Sequence, residues 1–131
     1  MIRVPSRLDE QTEECVSEAM DCGFAVHREL GPGFSEGIYE NAFCLELIAR
    51  NIPFEREKSF VIMYRDRPVG LHRLDLIVRG RVVVELKAVR VLERVHEAQV
   101  LSYLKASKLP IGLLMNFGGP ILKEGLRRIV L

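Results

Sequence analysis

The residue order predicts a mixed α/β (α+β) domain, with helices packed on a central mixed sheet. Three observations carry this. Residues 10–50 keep a helical spacing of apolar positions. Residues 54–89 switch to strand-like runs separated by tight turns. A further helical stretch then leads into the very apolar run Ile111 to Phe117. The predicted order is α-α-β-β-β-α-β.

Each element has its own signal. In the first helix, from about Glu10 to Leu30, Val16, Met20, Gly23, His27 and Leu30 recur at spacings of three and four. Glu and Asp crowd its early turns, where the helix dipole favours them. Gly31-Pro32-Gly33 stops it. The second helix, from about Ser35 to Arg50, takes Ser35 as its N-cap and Glu36 in its first turn. Its predicted apolar stripe is Ile38, Ala42, Leu45 and Ala49, widened by Phe43 and Leu47; Asn51-Ile52-Pro53 ends it. Phe54 to Tyr64 reads as a strand that turns at Arg65-Asp66-Arg67-Pro68. Val69 to Val78 is the second strand, Arg79-Gly80-Arg81 a turn, and Val82 to Val89 the third. The run Val82-Val83-Val84 suits a strand covered on both faces. The third helix, about Glu93 to Ser107, repeats through Val95, Ala98, Leu101 and Leu104. Gly118-Gly119-Pro120 breaks the fourth strand, and the tail Ile121 to Leu131, with Arg127 and Arg128, holds a short helix or strand. The first ten residues, with Pro5 and Ser6, read as a loose arm before one domain over residues 11–131.

Composition limits the function classes. The chain has 131 residues, enough for one domain with a single core. Hydrophobic residues are 48% and charged residues 28%, which suits a folded domain and argues against disorder. Net charge is +1, but it is unevenly placed. Residues 1–50 carry 4 basic and 10 acidic residues, net −6, and residues 51–131 carry 15 and 8, net +7. A uniformly basic coat is excluded; a basic face is not. No apolar run approaches the roughly 20 residues of a membrane helix. The opening Met-Ile-Arg-Val-Pro-Ser-Arg lacks a signal peptide's apolar stretch. Cys15, Cys22 and Cys44 form no CxxC pair, so reduced thiols and a cytoplasmic location are expected.

The informative stretch runs from Arg73 through Asp75 to Glu85 and Lys87. Strand side chains alternate faces, so Glu85 and Lys87 share one. A three-residue loop at Arg79-Gly80-Arg81 pairs Val78 with Val82. It therefore sets Asp75 opposite Glu85 and Arg73 opposite Lys87, whereas a two-residue loop would send the carboxylates to opposite faces. Like charges directly opposed destabilise a sheet. Arg73 and Lys87 could offset them in a purely salt-bridged face. A hard divalent cation such as Mg²⁺ or Mn²⁺ could do so too, with Lys87 acting on water or phosphate. On the third helix His96, Gln99 and Tyr103 share a face, either as a half-exposed helix side or as part of a site. Glu36 and Glu40 on the second helix are either dipole partners or further metal ligands.

At these residues the chain resembles the PD-(D/E)XK nuclease superfamily, through Asp75, Glu85 and Lys87. Within it, Gly33-Phe-Ser-Glu36-Gly-Ile-Tyr39 is similar to the signature of the GxxExxY family. Glu29 to Gly33, Val84 to Ala88, His96 to Gln99 and Gly112 to Phe117 resemble that family as well, so the likeness covers roughly Asp21 to Val130. Leu74 stands where the superfamily's named Pro would be, a position that varies widely. The resemblance implies a restriction-endonuclease-like α-β-β-β-α-β core with an extra N-terminal helix. It implies that Asp75, Glu85 and the main-chain carbonyl of Leu86 bind Mg²⁺ or Mn²⁺, with Glu36 or Glu40 as a further acid. Lys87 would assist the attacking water, and Gln99 would be the accessory residue on the helix.

The function expected from this is hydrolysis of phosphodiester bonds in nucleic acid, DNA first, by a metal-activated water. A module that binds nucleic acid without cutting it is the alternative, and a salt-bridged interaction protein is a third reading. Backbone contact would fall to Arg73, Arg79, Arg81, Arg90 and Arg94, with His96 and Tyr103. The chain has no Trp and 7% aromatic residues, which gives poor base-stacking platforms. A second copy or a protein partner is compatible with so small a domain; a membrane is not expected.

Overall fold

The computed structural model describes residues 8–131. Three helices pack on a five-stranded sheet in the order β1-β2-β3-β4-β5. Helix α1 spans Glu10–Leu30, because Asp9 accepts a 2.7 Å hydrogen bond from the Thr12 amide and Glu10 and Glu13 fill the first turn. The arm expected over residues 1–10 lies outside the described residues up to position 7; Asp9 caps α1 and Glu10 is its first residue. Helix α2 spans Glu36–Ala49. Strands β1 (Phe54–Tyr64), β2 (Arg67–Val78) and β3 (Val82–Lys87) run antiparallel to one another. Helix α3 (Arg94–Ser107) then crosses to β4 (Ile111–Asn116), which lies parallel to β3. A 3-10 turn at Leu122–Gly125 leads to β5 (Leu126–Val130), antiparallel to β4. The mixed α/β architecture is the one the sequence predicts. The tail contains both of its alternatives, a short helical turn and a strand.

The sheet is covered on both faces. Leu76, Val78, Val82, Val84, Leu113 and Met115 face α1 and α2, while Leu74, Ile77, Val83 and Leu114 face α3. The valine run of β3 is therefore buried from both sides. Strand ends needed small corrections. β2 begins at Arg67 because Arg65 and Asp66, both with positive φ, make a tighter turn than the four residues expected. β3 ends at Lys87.

Two predicted helix faces are turned in part, although Phe43, Leu47 and Leu104 are buried as expected. On α2 the buried side chains are Tyr39, Phe43, Cys44 and Leu47, whereas Ile38 and Leu45 are exposed. α2 is apolar nearly all round, so hydrophobicity alone does not pick its inner face. On α3 Val100, Tyr103 and Leu104 point inward and Val95 is exposed. A tyrosine and a valine there outweigh the alanine-containing stripe. All three cysteines are buried free thiols. No helix among the described residues is long and apolar enough to cross a membrane.

Candidate active site

The β2–β3 turn has the expected register: Val78 pairs with Val82, Ile77 with Val83 and Leu76 with Val84. There the ladder stops, one pair short of Asp75 and Glu85. The pleat of β2 also inverts at this point, since Leu74 and Ile77 face α3 while Leu76 faces the other helices. On the far side of Asp75, Glu57 of β1 adopts φ +56° and drops out of the β1–β2 register. Asp75 thus sits at a local break in the sheet, where its backbone is free of both neighbours' ladders. The break lets its side chain converge on Glu85 instead of standing in an unbroken strand.

Three carboxylates meet there. Glu36, Asp75 and Glu85 each offer one oxygen, and these oxygens lie within 4.8 Å of one another. Glu85 is 2% exposed, Asp75 half-buried and Glu36 exposed. Lys87 Nζ stands 3.4 Å from Glu85 Oε1. Asp75 Oδ2 and Glu85 Oε2 are buried and have no hydrogen-bond partner. Burial, with the Asp75 carboxyl beside it, pushes Glu85 up to about 8, and Lys87 opposes this only in part. Burial also raises Glu36, with Lys87 opposing and Asp75 and Glu40 adding to the rise. One ammonium cannot balance three acids, and two buried oxygen lone-pair sets stay unmet. Such a group needs a proton or a cation. An all-oxygen donor set of this kind fits a hard divalent ion.

The loop before α2 explains how Glu36 reaches the sheet. Gly33 has φ +114°, a conformation that glycine allows and side chains resist. Tyr39 is fully buried, stacks on Phe117 at 4.8 Å, donates to the Gly31 carbonyl at 2.5 Å and accepts from the Phe34 amide at 3.2 Å. It clasps the loop one turn below Glu36 and so fixes where α2 begins. Sequence reasoning quoted Gly33, Glu36 and Tyr39 as a signature but missed this role for the tyrosine. Tyr39→Phe is expected to leave two backbone groups unpaired. It should cost about 1–2 kcal/mol in chemical denaturation and weaken Mn²⁺ binding without touching a carboxylate.

The other predicted residues divide into two sets. Gln99 and Tyr103 face the cluster: the buried Tyr103 phenol is pushed up to about 12 by burial first and then by Glu85, Asp75 and Glu36, while a hydrogen bond with Gln99 opposes the rise. His72 packs edge-on against the Tyr103 ring at 4.8 Å and bonds Ser102 Oγ at 2.8 Å. Leu86 is a buried β3 residue paired with Met115, set between Glu85 and Lys87. His96 caps α3, its Nδ1 accepting the Glu93 amide at 2.9 Å.

Several residues are engaged elsewhere. Glu40 is held by Arg56 at 2.7 Å and is not part of the carboxylate group. Arg73 does not oppose Lys87, because its guanidinium pairs with Glu57 at 2.8 Å. Arg79 grips Glu18 at 2.9 and 3.0 Å, and Arg81 reaches Gln11, Thr12 and Asp9. Acidic residues of α1 thus neutralise the turn, a pairing invisible in a charge count along the chain. Gln11, Glu18, Arg79 and Arg81 line a depression of about 1060 Å³, which lies at the β2–β3 turn and away from the carboxylates. Arg90 and Arg94 are exposed and have no ion pair among the described residues.

Comparison with known proteins adds one finding. The sequence model of the PD-(D/E)XK nuclease superfamily matches residues 13–129. No curated protein and no solved structure matches the chain significantly.

Proposed function

Because the chain belongs to the PD-(D/E)XK nuclease superfamily, we propose that it is a divalent-metal-dependent nuclease that hydrolyses DNA at the Glu36–Asp75–Glu85 cluster. The observation that carries this reading is the pair of buried, unpartnered oxygens, Asp75 Oδ2 and Glu85 Oε2, within a three-carboxylate group. A sheet keeps such a pair only where something positive is to be held. Within the superfamily, the spacing of Gly33, Glu36 and Tyr39 supports membership of the GxxExxY family. Its buried free thiols suit a reducing compartment, the cytoplasm.

Asp75 and Glu85 would hold the ion from the sheet, with Glu36 reaching it from α2 and the Leu86 carbonyl lying between the two strand residues. When bound, Mg²⁺ or Mn²⁺ supplies Lewis-acid charge and an acidified water. Lys87 orients the attacking water and offsets charge on the phosphate, since its ammonium already stands beside Glu85. Gln99, tethered to Tyr103, fixes the water or the scissile phosphate from the helix side. The test is incubation of the protein with duplex DNA. Fragments are expected with Mg²⁺ or Mn²⁺ and none with EDTA; intact DNA under every metal condition would remove the proposal.

A further inference from the structure

A second feature lies across the sheet from the carboxylates. Lys87 and Asn116 are partners in the parallel β3–β4 ladder. Asn116 is buried, and its side chain acts as an extra rung: Oδ1 accepts the Val89 amide and Nδ2 donates to the Val89 carbonyl, both at 2.9 Å. The Gly118 amide also donates to Asn116 Oδ1 at 3.1 Å. A Cβ on Gly118 would stand 2.2 Å from the Val89 carbonyl oxygen, so only glycine lets the two segments meet. The chain leaving the site strand is thereby pinned at Val89, and the next residue is Arg90.

Arg90 borders a depression of about 220 Å³ that Arg127 of β5 also lines. Arg127 is held in place through one nitrogen, Nη1, which donates to the Glu124 and Leu126 carbonyls at 2.9 and 2.8 Å. Its Nη2 makes no hydrogen bond among the described residues, and Glu97 lies 3.9 Å from its Nε. The depression thus offers a free guanidinium on a pinned backbone and a second one braced by main chain. Two acids border it, Glu124 in its wall and Glu97 behind Arg127. Neither lies closer to Arg127 than 3.9 Å by its carboxylate.

We infer that this depression is a phosphate subsite for the nucleic-acid strand being cut, gripped by Arg90 and Arg127. The inference rests on the nuclease reading and adds to it the direction in which the strand runs. From Glu85 on β3, through Leu114 of β4, to Arg127 on β5 is two strand spacings, roughly 10 Å. Neighbouring phosphates of one strand lie roughly twice the 3.4 Å axial rise apart, so the phosphate held there is one or two nucleotides from the scissile one. The strand therefore runs past the ends of β3 and β4 toward β5, since α3 covers the sheet face between them, and not past the Arg79–Arg81 turn, whose arginines α1 already neutralises.

The experiment measures binding of a labelled 20-base-pair DNA duplex across a salt series in EDTA, for wild type, Arg90→Ala, Arg127→Gln and the double variant. Each single substitution is expected to flatten the plot of log affinity against log salt by about one ion. Arg90 is exposed and has no ion pair among the described residues, so its replacement carries no folding risk; thermal melting checks Arg127→Gln. A second series replaces single phosphates by neutral methylphosphonates. Wild type should weaken when the neutral link sits one or two nucleotides from the cut, and the double variant should be indifferent there. Unchanged salt slopes for both single variants, in a wild type that binds and cuts DNA, would overturn the subsite alone. A wild type that neither binds nor cuts overturns the nuclease reading and the subsite with it.

Discussion

Asp75→Ala is expected to cut DNA with Mg²⁺ on the order of a thousandfold more slowly than wild type, or not at all. A thousandfold corresponds to about 4 kcal/mol of lost transition-state stabilisation, a magnitude that one of two central oxygen ligands can supply. The fold should survive. Asp75 is half-buried, its Oδ2 has no partner, and its backbone stands outside both neighbouring ladders. Removing its charge also relieves repulsion on Glu85, so the melting temperature in EDTA should hold or rise. Lys87→Ala makes the informative contrast. It removes the cation beside Glu85 but no carboxylate, so Mn²⁺ binding by calorimetry should persist while cleavage falls. Asp75→Ala should lose both. An Asp75→Ala protein that cuts at the wild-type rate would rule out the carboxylate mechanism.

What the sequence disclosed about this site depends on the range of the interaction. The register of the β2–β3 turn, from Val78 with Val82 to Leu76 with Val84, was legible because a three-residue turn determines strand phase, a local property. α1 was legible to both ends because its caps, Asp9 and Gly31, are local too. Contacts between distant segments were not. Arg73, Arg79 and Arg81 look like one basic strip with Arg90 and Arg94 when read along the chain. Folding sends the first to Glu57, the second to Glu18 and the third to the start of α1. Among the described residues, only the last two have no ion-pair partner. The inversion of β2 at Asp75 was hidden for a similar reason: it depends on Glu57, on a strand that alternation alone treats as regular. Tyr39 and Asn116 bury polar atoms that serve other segments' backbones, and nothing in their own neighbourhood says which.

The unmet Glu85 charge has a consequence for stability that the opposite pH trend would refute. Its carboxyl titrates near 8 in the folded protein and near 4.5 in an unfolded chain. Below pH 4.5 both states hold the proton, and the group contributes no pH dependence. Between 4.5 and about 8 the unfolded chain has released it and the fold has not, so the unfolded state binds fewer protons and stability falls as pH rises. At about 1.4 kcal/mol per pH unit, the loss accumulates to several kcal/mol above pH 8. Glu85→Gln keeps the shape of the protonated acid and removes the titration. In EDTA it should therefore melt close to wild type at pH 5 and well above it at pH 8.5. Added Mn²⁺ takes the place of the proton, so it should raise the melting point of wild type far more at pH 8.5 than at pH 5, and that of Glu85→Gln little at either. If wild type in EDTA loses no more stability than Glu85→Gln between those two pH values, Glu85 is not the uncompensated charge of this fold. The case for a cation at Asp75 and Glu85 would then lose its physical basis.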